Sequence, residues 1–265
     1  MSSNRYSRIL EQIFLGHHRQ GDREVSFARD ELVSVASSLG IPLPKNLGDL
    51  IYTFRFRAPL PDRITATAPS GKSWVIRQAG RGQYRFVLAS AWSVVPNRKL
   101  VHIKVPDSTP GIIARYALDD EQALLAKVRY NRLIDIFTGT TCYSLQNHLR
   151  TAVKGLGQVE TDEVYVGIDR RGAHHVFPVQ AKAGRDKLSL VQIEQDLAMC
   201  SAKFPSMICR PIGAQFLTDD LLVLMEFVPS GDGMRITSEK HYRLVPPDLL
   251  TEEDLRLYQL SSETR

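Results

Sequence analysis

One stretch, Gly157 to Lys182, restricts the possible folds of this chain more than any other part of its sequence. Apolar residues alternate from Glu163 to Ile168, and the turn residues Asp169-Arg170-Arg171-Gly172 follow. A second apolar run then extends from His174 to Lys182. Alternation on both sides of a short Gly-containing turn is typical of a β-hairpin. The chain is therefore predicted to contain a two-stranded unit here, around which a sheet is built.

Polar groups of three kinds converge at one end of this hairpin. The acids Glu160 and Asp162 come just before the first arm, and the second arm ends in Gln180-Ala181-Lys182. Alternate residues of a strand share a face, so Gln180 and Lys182 point the same way. Pairing of the arms would bring a carboxylate, an amide oxygen and an ammonium together. This combination suits a hydrated divalent metal ion beside a scissile phosphate.

The metal expected at such a site is Mg²⁺, which prefers oxygen ligands and retains several waters. Asp162 is the first candidate ligand, and the side chain of Gln180 and the backbone of Ala181 offer carbonyl oxygens. Lys182 would orient the attacking water or stabilise the pentavalent phosphate. Glu160 lies two residues before Asp162, so it either adds a ligand or is solvated.

These residues resemble a known family. Asp162, seventeen residues, and then Gln180-x-Lys182 resemble the motif of the PD-(D/E)xK restriction-endonuclease-like superfamily, in the QxK form of its Mrr-like branch. The apolar arm ending in VQAK and the helices expected on either side of the hairpin are also similar. The resemblance covers about residues 120–228. In two respects the chain departs from the pattern: Thr161 stands where a proline is usual, and Gln180 is neutral.

The resemblance implies an α/β fold with a mixed sheet flanked by helices, Mg²⁺ dependence with Mn²⁺ as a substitute, and DNA cleavage. By position, Asp162 would be the metal-binding acid and Lys182 the catalytic lysine. Gln180 would occupy the second, usually acidic position, and Glu160 is the candidate to replace the missing charge.

The regions next to the hairpin are predicted from hydrophobic spacing. Gln192 and Gln195 lie on the helix after it, and Arg185 and Lys187 lie in the loop before that helix, so all four are candidates to border a bound DNA. The predicted helices are Asp120 to Phe137, Ser144 to Lys154 and Ser189 to Ala202; the predicted strands are Ile208 to Phe216, Leu221 to Val228 and an edge strand at His241 to Leu244.

The N-terminal part has a different order of elements. Helices are predicted at Arg5 to Leu15, Ala28 to Leu39 and Asn46 to Arg57, followed by strands at Ile64 to Ala68, Ser73 to Arg77 and Tyr84 to Leu88. Three helices followed by a basic hairpin is the order of a winged helix, in which the third helix enters the major groove and the hairpin lies on the backbone. A protein-binding module of the same order is the alternative. The predicted DNA contacts are Lys45, Asn46, Thr53 and Arg57 on the helix and Lys72, Arg77, Arg81 and Arg85 on the hairpin.

Charge is distributed unevenly along the chain. Its net charge is +5, but residues 1–118 hold 17 Lys and Arg against 8 Asp and Glu, while residues 119–265 hold 17 against 21. A basic N-terminal half favours a polyanionic partner. We therefore predict a winged-helix-like domain at residues 1–92, a linker at residues 93–118 and a nuclease domain at residues 119–265.

Several classes of protein are not expected from this sequence. The sequence has no run of about 18 apolar residues, so no membrane span is predicted. The N-terminus MSSNRYSRIL lacks the apolar core of a signal peptide. The three cysteines, Cys142, Cys200 and Cys209, are too few for a disulfide framework and lack zinc-site spacing. A cytoplasmic protein with reduced thiols is expected.

The sequence therefore predicts a Mg²⁺-dependent endonuclease that cuts double-stranded DNA, of restriction or similar defence type. Two strands must be cut, so a homodimer is expected, and a cognate DNA methyltransferase is the partner that a restriction enzyme would need. The first alternative is a non-catalytic DNA-binding regulator that uses a degenerate nuclease-like domain for dimerisation, as the neutral Gln180 suggests. A protein-binding adaptor is the second alternative.

Overall fold

The chain folds around two sheets. The computed structural model describes residues 5–90, 93–118, 121–184, 186–218, 220–231 and 233–263. Within them a three-stranded antiparallel sheet belongs to the N-terminal part, and an eight-stranded mixed sheet with flanking helices belongs to the rest. The predicted fold class, α/β with a mixed sheet flanked by helices, is confirmed at this level.

The N-terminal part consists of short helices packed on the small sheet. The strands pair in the order β1-β3-β2. The elements are α1 (Ser7–His17), β1 (Glu24–Ala28), α2 (Arg29–Leu39), α3 (Leu47–Tyr52) continued by a π-helical turn (Thr53–Arg57), α4 (Asp62–Thr65), β2 (Ser73–Gly80) and β3 (Gln83–Ala89).

Local signals place several of these boundaries. The Glu31 carboxylate accepts a hydrogen bond from the backbone N–H of Ala28 at 2.7 Å, which caps the start of α2. Gly40 ends α2 with a left-handed backbone, φ 64°. The core beneath these helices is aromatic: the ring of Phe14 lies 5.1 Å from that of Trp74 and 5.0 Å from that of Phe86, both edge-on.

Two predictions for this part were incomplete or wrong. The predicted strand at Ile64 to Ala68 is wrong, because its first residues close the turn of α4. Ile64 alone is fully buried there, and the Thr65 and Thr67 hydroxyls bond carbonyls three residues back, at 3.1 and 2.7 Å. Strand β1 was not predicted; its partner β3 is some sixty residues away in the chain.

The remaining elements build and cover the larger sheet. They are β4 (His102–Pro106), α5 (Gly111–Tyr116), α6 (Glu121–Tyr130), α7 (Leu133–Thr138), β5 (Thr141–Val153), β6 (Gly157–Ile168), β7 (His174–Lys182), α8 (Leu190–Lys203), β8 (Ile208–Cys209), β9 (Ile212–Thr218), β10 (Leu221–Ser230), β11 (Gly233–Val245), a 3-10 turn (Pro247–Leu249) and α9 (Glu252–Glu263).

Strand β7 lies inside this sheet, whose order is β4-β11-β10-β9-β7-β6-β5. β7 pairs antiparallel with β6 on one side and parallel with β8 and then β9 on the other. A proline is unusual in an interior strand because it has no N–H to donate. Pro178 is tolerated because it falls between Val176, the last residue paired with β8, and Val179, the first paired with β9.

The predicted hairpin is confirmed, and its first arm is longer than expected. Its turn places Gly172 at φ 80°, with the Gly172 N–H donating to the Asp169 carbonyl at 3.0 Å. Strand β6 begins at Gly157, so Glu160 and Asp162 belong to the strand itself. The helix predicted after the hairpin is also confirmed, as α8.

Three other predictions for this half need correction. The predicted helix at Ser144 to Lys154 is strand β5, which pairs with β6 along nearly its whole length. The predicted long helix divides into α6 and α7 at Arg132, whose φ is 53°. The strand predicted at His241 to Leu244 is part of β11, and it is not an edge strand. Strand β4, which lies in the predicted linker, pairs with β11 on its outer side.

The N-terminal part packs against helix α8. Val191 of α8 joins a buried cluster with Phe56, Val75, Val87 and Ala89. The guanidinium of Arg77 donates to both carboxylate oxygens of Glu194, at 2.9 and 2.6 Å. None of the helices described is both long and apolar enough to span a bilayer.

Candidate active site

The candidate site lies where the hairpin of β6 and β7 stops pairing. The ladder between the strands runs from Ile168 opposite His174 to Glu163 opposite Val179. Beyond it, the Asp162 carboxylate accepts a hydrogen bond from the backbone N–H of Ala181 at 2.8 Å. A side chain thus replaces a backbone acceptor at the end of the ladder and holds Asp162 beside the Gln180–Lys182 segment.

Lys182 places its ammonium between polar oxygens at this point. Its Nζ donates to the Ala181 carbonyl at 2.8 Å and lies 3.8 Å from a carboxylate oxygen of Glu121. Only 14% of its side chain is exposed. Burial raises the pKa of Asp162, while the charge of Lys182 and the N–H of Ala181 oppose that rise. Asp162, Ala181 and Lys182 therefore come together as the sequence predicted.

Gln180 is buried with one half of its amide unpaired. Its Nε2 donates to the Glu160 carbonyl at 3.0 Å and to Asp196 Oδ1 at 3.2 Å. These two acceptors fix which end of the amide is nitrogen. Its Oε1 is buried and has no hydrogen-bond partner among the described residues. A buried carbonyl-type oxygen without a donor is a fit for a cation ligand, because leaving it unpaired costs free energy.

Glu160 is placed differently from Asp162. Its carboxylate accepts a hydrogen bond from Arg150 at 3.0 Å and lies 3.9 Å from the ring of His148. Its side chain therefore has a cationic partner on strand β5, and the contact it makes with Gln180 is through its backbone. The structure does not bring the Glu160 carboxylate to Gln180.

Asp196 is a site residue that the sequence did not reveal. It lies on α8, fully buried, and Thr161 donates its hydroxyl to Oδ1 at 2.5 Å. Burial raises its pKa to about 8, although the hydrogen bonds from Thr161 and Gln180 favour the charged form. The carboxyl group that bonds the Gln180 side chain therefore comes from Asp196 on α8, and not from Glu160 on β6. Nothing in its local spacing distinguishes it from a solvated helix residue.

The high pKa of Asp196 predicts a pH-dependent stability. Its folded-state pKa of about 8 exceeds the value of about 3.9 expected in the unfolded chain, so the fold holds an extra proton between these values. This contribution is fully present below about pH 4 and is lost as the pH rises towards 8. In Asp196→Asn that loss is absent. As the pH rises across this range, the free energy of unfolding of the variant minus that of wild type should therefore increase by about 1 kcal/mol per pH unit.

Urea denaturation of both proteins at pH 5 and pH 8 measures this difference. A gap between the variant and wild type that is the same at both pH values would show that Asp196 is ionised in the fold at neutral pH.

Glu121 and His148 are further residues that the sequence analysis did not assign to the site. Glu121 begins α6, and its charge raises the pKa of Asp162. His148 lies in β5 between Asn147 and Leu149, which pair with Glu163 and Thr161, and its charge lowers that pKa. An acid at the start of the helix before the hairpin was the one available signal.

The residues predicted to contact DNA are spread over several surfaces. On α3, Asn46 caps the helix by accepting from the Gly48 N–H at 3.0 Å, and exposed Arg57 stacks on Tyr52. On the small sheet, Arg77 binds Glu194 and Arg85 binds Glu24 at 3.1 Å. Lys45, Arg81 and Lys187 are exposed, Thr53 and Lys72 are half-buried, Gln192 and Gln195 are buried, and Arg185 lies outside the described residues.

The N-terminal part borders the candidate site directly. Tyr52, Phe56 and Arg57 line a space of about 30 Å³ together with Lys182 and Glu121. This is room for one or two waters. The C-terminal end of α3 and its π-helical turn therefore form one wall of the space beside the lysine.

Comparison with models of known protein families gives no match for this chain, and comparison with curated proteins gives none either. The functional interpretation therefore depends on the geometry of the site.

Proposed function

We propose that this protein is a Mg²⁺-dependent endonuclease that hydrolyses double-stranded DNA, with a restriction-endonuclease-like core. The observation that carries the proposal is the convergence at the end of the hairpin. There the Asp162 carboxylate and the Lys182 ammonium are both bonded to Ala181, the residue after Gln180, whose Oε1 has no partner among the described residues. An anionic ligand, a neutral oxygen ligand and a fixed cation are the groups that phosphodiester hydrolysis needs.

The donor set fits Mg²⁺ better than a softer metal. Asp162, Gln180 Oε1 and the Ala181 carbonyl would hold the ion, and all three offer oxygen. No group of three His, Cys, Asp or Glu side chains suited to a metal occurs in the described part of the chain. Mg²⁺ commonly binds through one or two carboxylates and keeps its waters, so such a group is not required. When bound, the ion would lower the pKa of a water and neutralise charge on the phosphate.

Lys182 has the charge and position to act on the phosphate. The carboxylates of Glu121 and Asp162 both lie near its ammonium. A protonated amine donates hydrogen bonds to a non-bridging oxygen as negative charge develops there. Asp196 and Thr161 act at one remove, since their hydrogen bonds set the direction of the Gln180 amide.

The N-terminal part would supply DNA binding. Its element order, α1-β1-α2-α3-α4-β2-β3, resembles that of a winged-helix domain with one additional short helix. Its exposed Lys45 and Arg81 and the basic balance of the N-terminal half suit a phosphate backbone. Cutting both strands of a duplex is most simply achieved by a homodimer. A methyltransferase that protects host DNA completes the restriction role.

A second candidate function is DNA binding without catalysis. Two observations favour it: Gln180 carries no charge, and the space beside Lys182 holds only about 30 Å³ between Tyr52, Phe56 and Glu121. In this case the domain built on the hairpin would serve dimerisation. The C-terminal end of α3 would then stay in place beside Lys182 and keep a phosphate out.

A plasmid assay tests the proposal. Supercoiled plasmids, methylated and unmethylated, are incubated with the full chain in Mg²⁺, in Mn²⁺ and in EDTA. We expect nicked and linear products with either metal and none in EDTA. DNA binding without cleavage in any metal would favour the regulator. Absence of a DNA affinity that weakens steeply with salt would favour the protein-binding adaptor instead.

A further inference from the structure

A cleft separates α3 and its π-helical turn from the nuclease-like core. Its volume is about 590 Å³, and its walls include Tyr52, Arg55, Phe56, Arg57, Gln192 and Gln195. We call it the α3 cleft. Four of these residues, Tyr52, Phe56, Arg57 and Gln192, also border the space beside Lys182. A cleft of this size is in the range of small-molecule sites and is too small for a DNA duplex.

Two buried side-chain amides that line the α3 cleft each have one atom without a hydrogen-bond partner among the described residues. Gln192 is 8% exposed and Gln195 is 7% exposed. The Oε1 of Gln192 and the Nε2 of Gln195 have no hydrogen-bond partner among the described residues. Buried polar atoms are nearly always paired, because an unmade hydrogen bond costs free energy. The cleft thus offers one acceptor and one donor to an occupant with a polar edge.

The same cleft holds a half-buried cation. The Nη2 atom of Arg55 is buried, and it has no hydrogen-bond partner in the described part of the chain. Burial lowers the pKa of Arg55 to about 10, and no described carboxylate forms an ion pair with it. A buried charge without a counter-ion is costly. The carboxylates of Asp49 and Glu160 also line the cleft, and they accept hydrogen bonds from Asn46 and Arg150, at 2.8 and 3.0 Å. An occupant that carries negative charge near Arg55 would remove the cost of its unpaired charge.

Aromatic faces complete the walls. The Arg57 guanidinium lies 5.1 Å from the centre of the Tyr52 ring, and the Arg55 guanidinium lies 4.6 Å from that of Phe56. The Tyr52 and Phe56 rings meet edge-on, with centres 4.8 Å apart. Rings backed by guanidinium groups are surfaces on which a nucleobase stacks.

We propose that the α3 cleft binds one unstacked nucleotide. Its base lies on Tyr52, its polar edge bonds Gln192 and Gln195, and its phosphate faces Arg55. The nucleotide is either extruded from bound DNA or free in solution. The inference deepens the proposed function, and it rests on that function where the source is bound DNA.

Binding of bulged duplexes tests the extruded source. The full chain in EDTA is titrated with fluorescent duplexes that carry one bulged A, C, G or T, and with the matching paired duplex. A bulged base is already unpaired, so at least one of the four should bind about tenfold more tightly than the paired duplex. In Gln192→Met/Gln195→Met this preference, measured as the ratio of bulged to paired affinity, should vanish. Tyr52→Leu, which removes the stacking face, should have the same effect.

Free nucleotides and a matched variant complete the test. Deoxynucleoside monophosphates that bind wild type but not the double variant, without a bulge preference, would assign the cleft to a free nucleotide. Gln146→Met, an exposed glutamine of β5, should behave as wild type. The proposal is overturned if neither probe binds preferentially, or if the cleft variants keep the preference. A bulge preference without metal-dependent plasmid cleavage would contradict the endonuclease function and support nucleotide binding in the α3 cleft. Plasmid cleavage without preference for either probe would support the endonuclease function and contradict nucleotide binding in the cleft.

Discussion

Lys182→Ala should lower the rate of plasmid cleavage in Mg²⁺ by about 10³-fold, the size of effect seen when a fixed donor to a developing negative charge is removed. The ammonium is held by the Ala181 carbonyl and lies near Glu121, at the end of the hairpin where Asp162 also bonds Ala181. The fold should persist, because Lys182 ends strand β7 and contributes little to the core. Initial rates of nicking, with melting temperature and DNA affinity measured in parallel, give the result.

Lys203→Ala is the matched control for this experiment. Lys203 is an exposed lysine at the end of α8, so its loss should change neither nicking nor melting temperature. Nicking by Lys182→Ala at the wild-type rate would remove Lys182 from the mechanism.

Asp162→Asn should lose cleavage to a similar extent while becoming more stable than wild type. Burial raises the pKa of Asp162, so the ionised carboxylate is less favourable in the fold than in the unfolded chain. Above its folded pKa the wild-type protein bears this cost, and the neutral amide does not. The amide oxygen can still accept the Ala181 N–H. A rise in melting temperature at pH 7 together with loss of nicking is the expected pair of results.

Such opposite effects are typical of a functional residue kept at the expense of stability. Asp248→Asn, which neutralises an exposed acid near the C-terminus, should change neither quantity. A fall in the melting temperature of Asp162→Asn with activity retained would mean that Asp162 has a structural role.

Features whose cause is local could be predicted from the sequence. The hairpin followed from alternation and a glycine turn, and α8 from its apolar stripe with Ser189 before it. The meeting of Asp162 with the Gln180–Lys182 segment followed from strand pairing and the period of two along it. These residues are held by β6 and β7, whose pairing needs a short turn.

Features set by distant contacts could not be predicted. Strand β5 carries Leu145, Leu149 and Val153 at helical spacing, yet its pairing with β6 prevails over that preference. Asp196 looks like a solvated helix residue, and only the packing of α8 on the sheet buries it. The α3 cleft joins residues more than a hundred positions apart, so no local pattern signals it.

We propose that Asp162 and Gln180 hold a divalent ion beside Lys182. Titration with Mn²⁺, followed by electron paramagnetic resonance with and without a DNA duplex, tests this claim without depending on turnover. Wild type should bind Mn²⁺ at one site per chain, and Asp162→Asn should bind it at least about tenfold more weakly, since even loss of an outer-shell partner costs that much. Equal Mn²⁺ binding by wild type and Asp162→Asn would contradict the account.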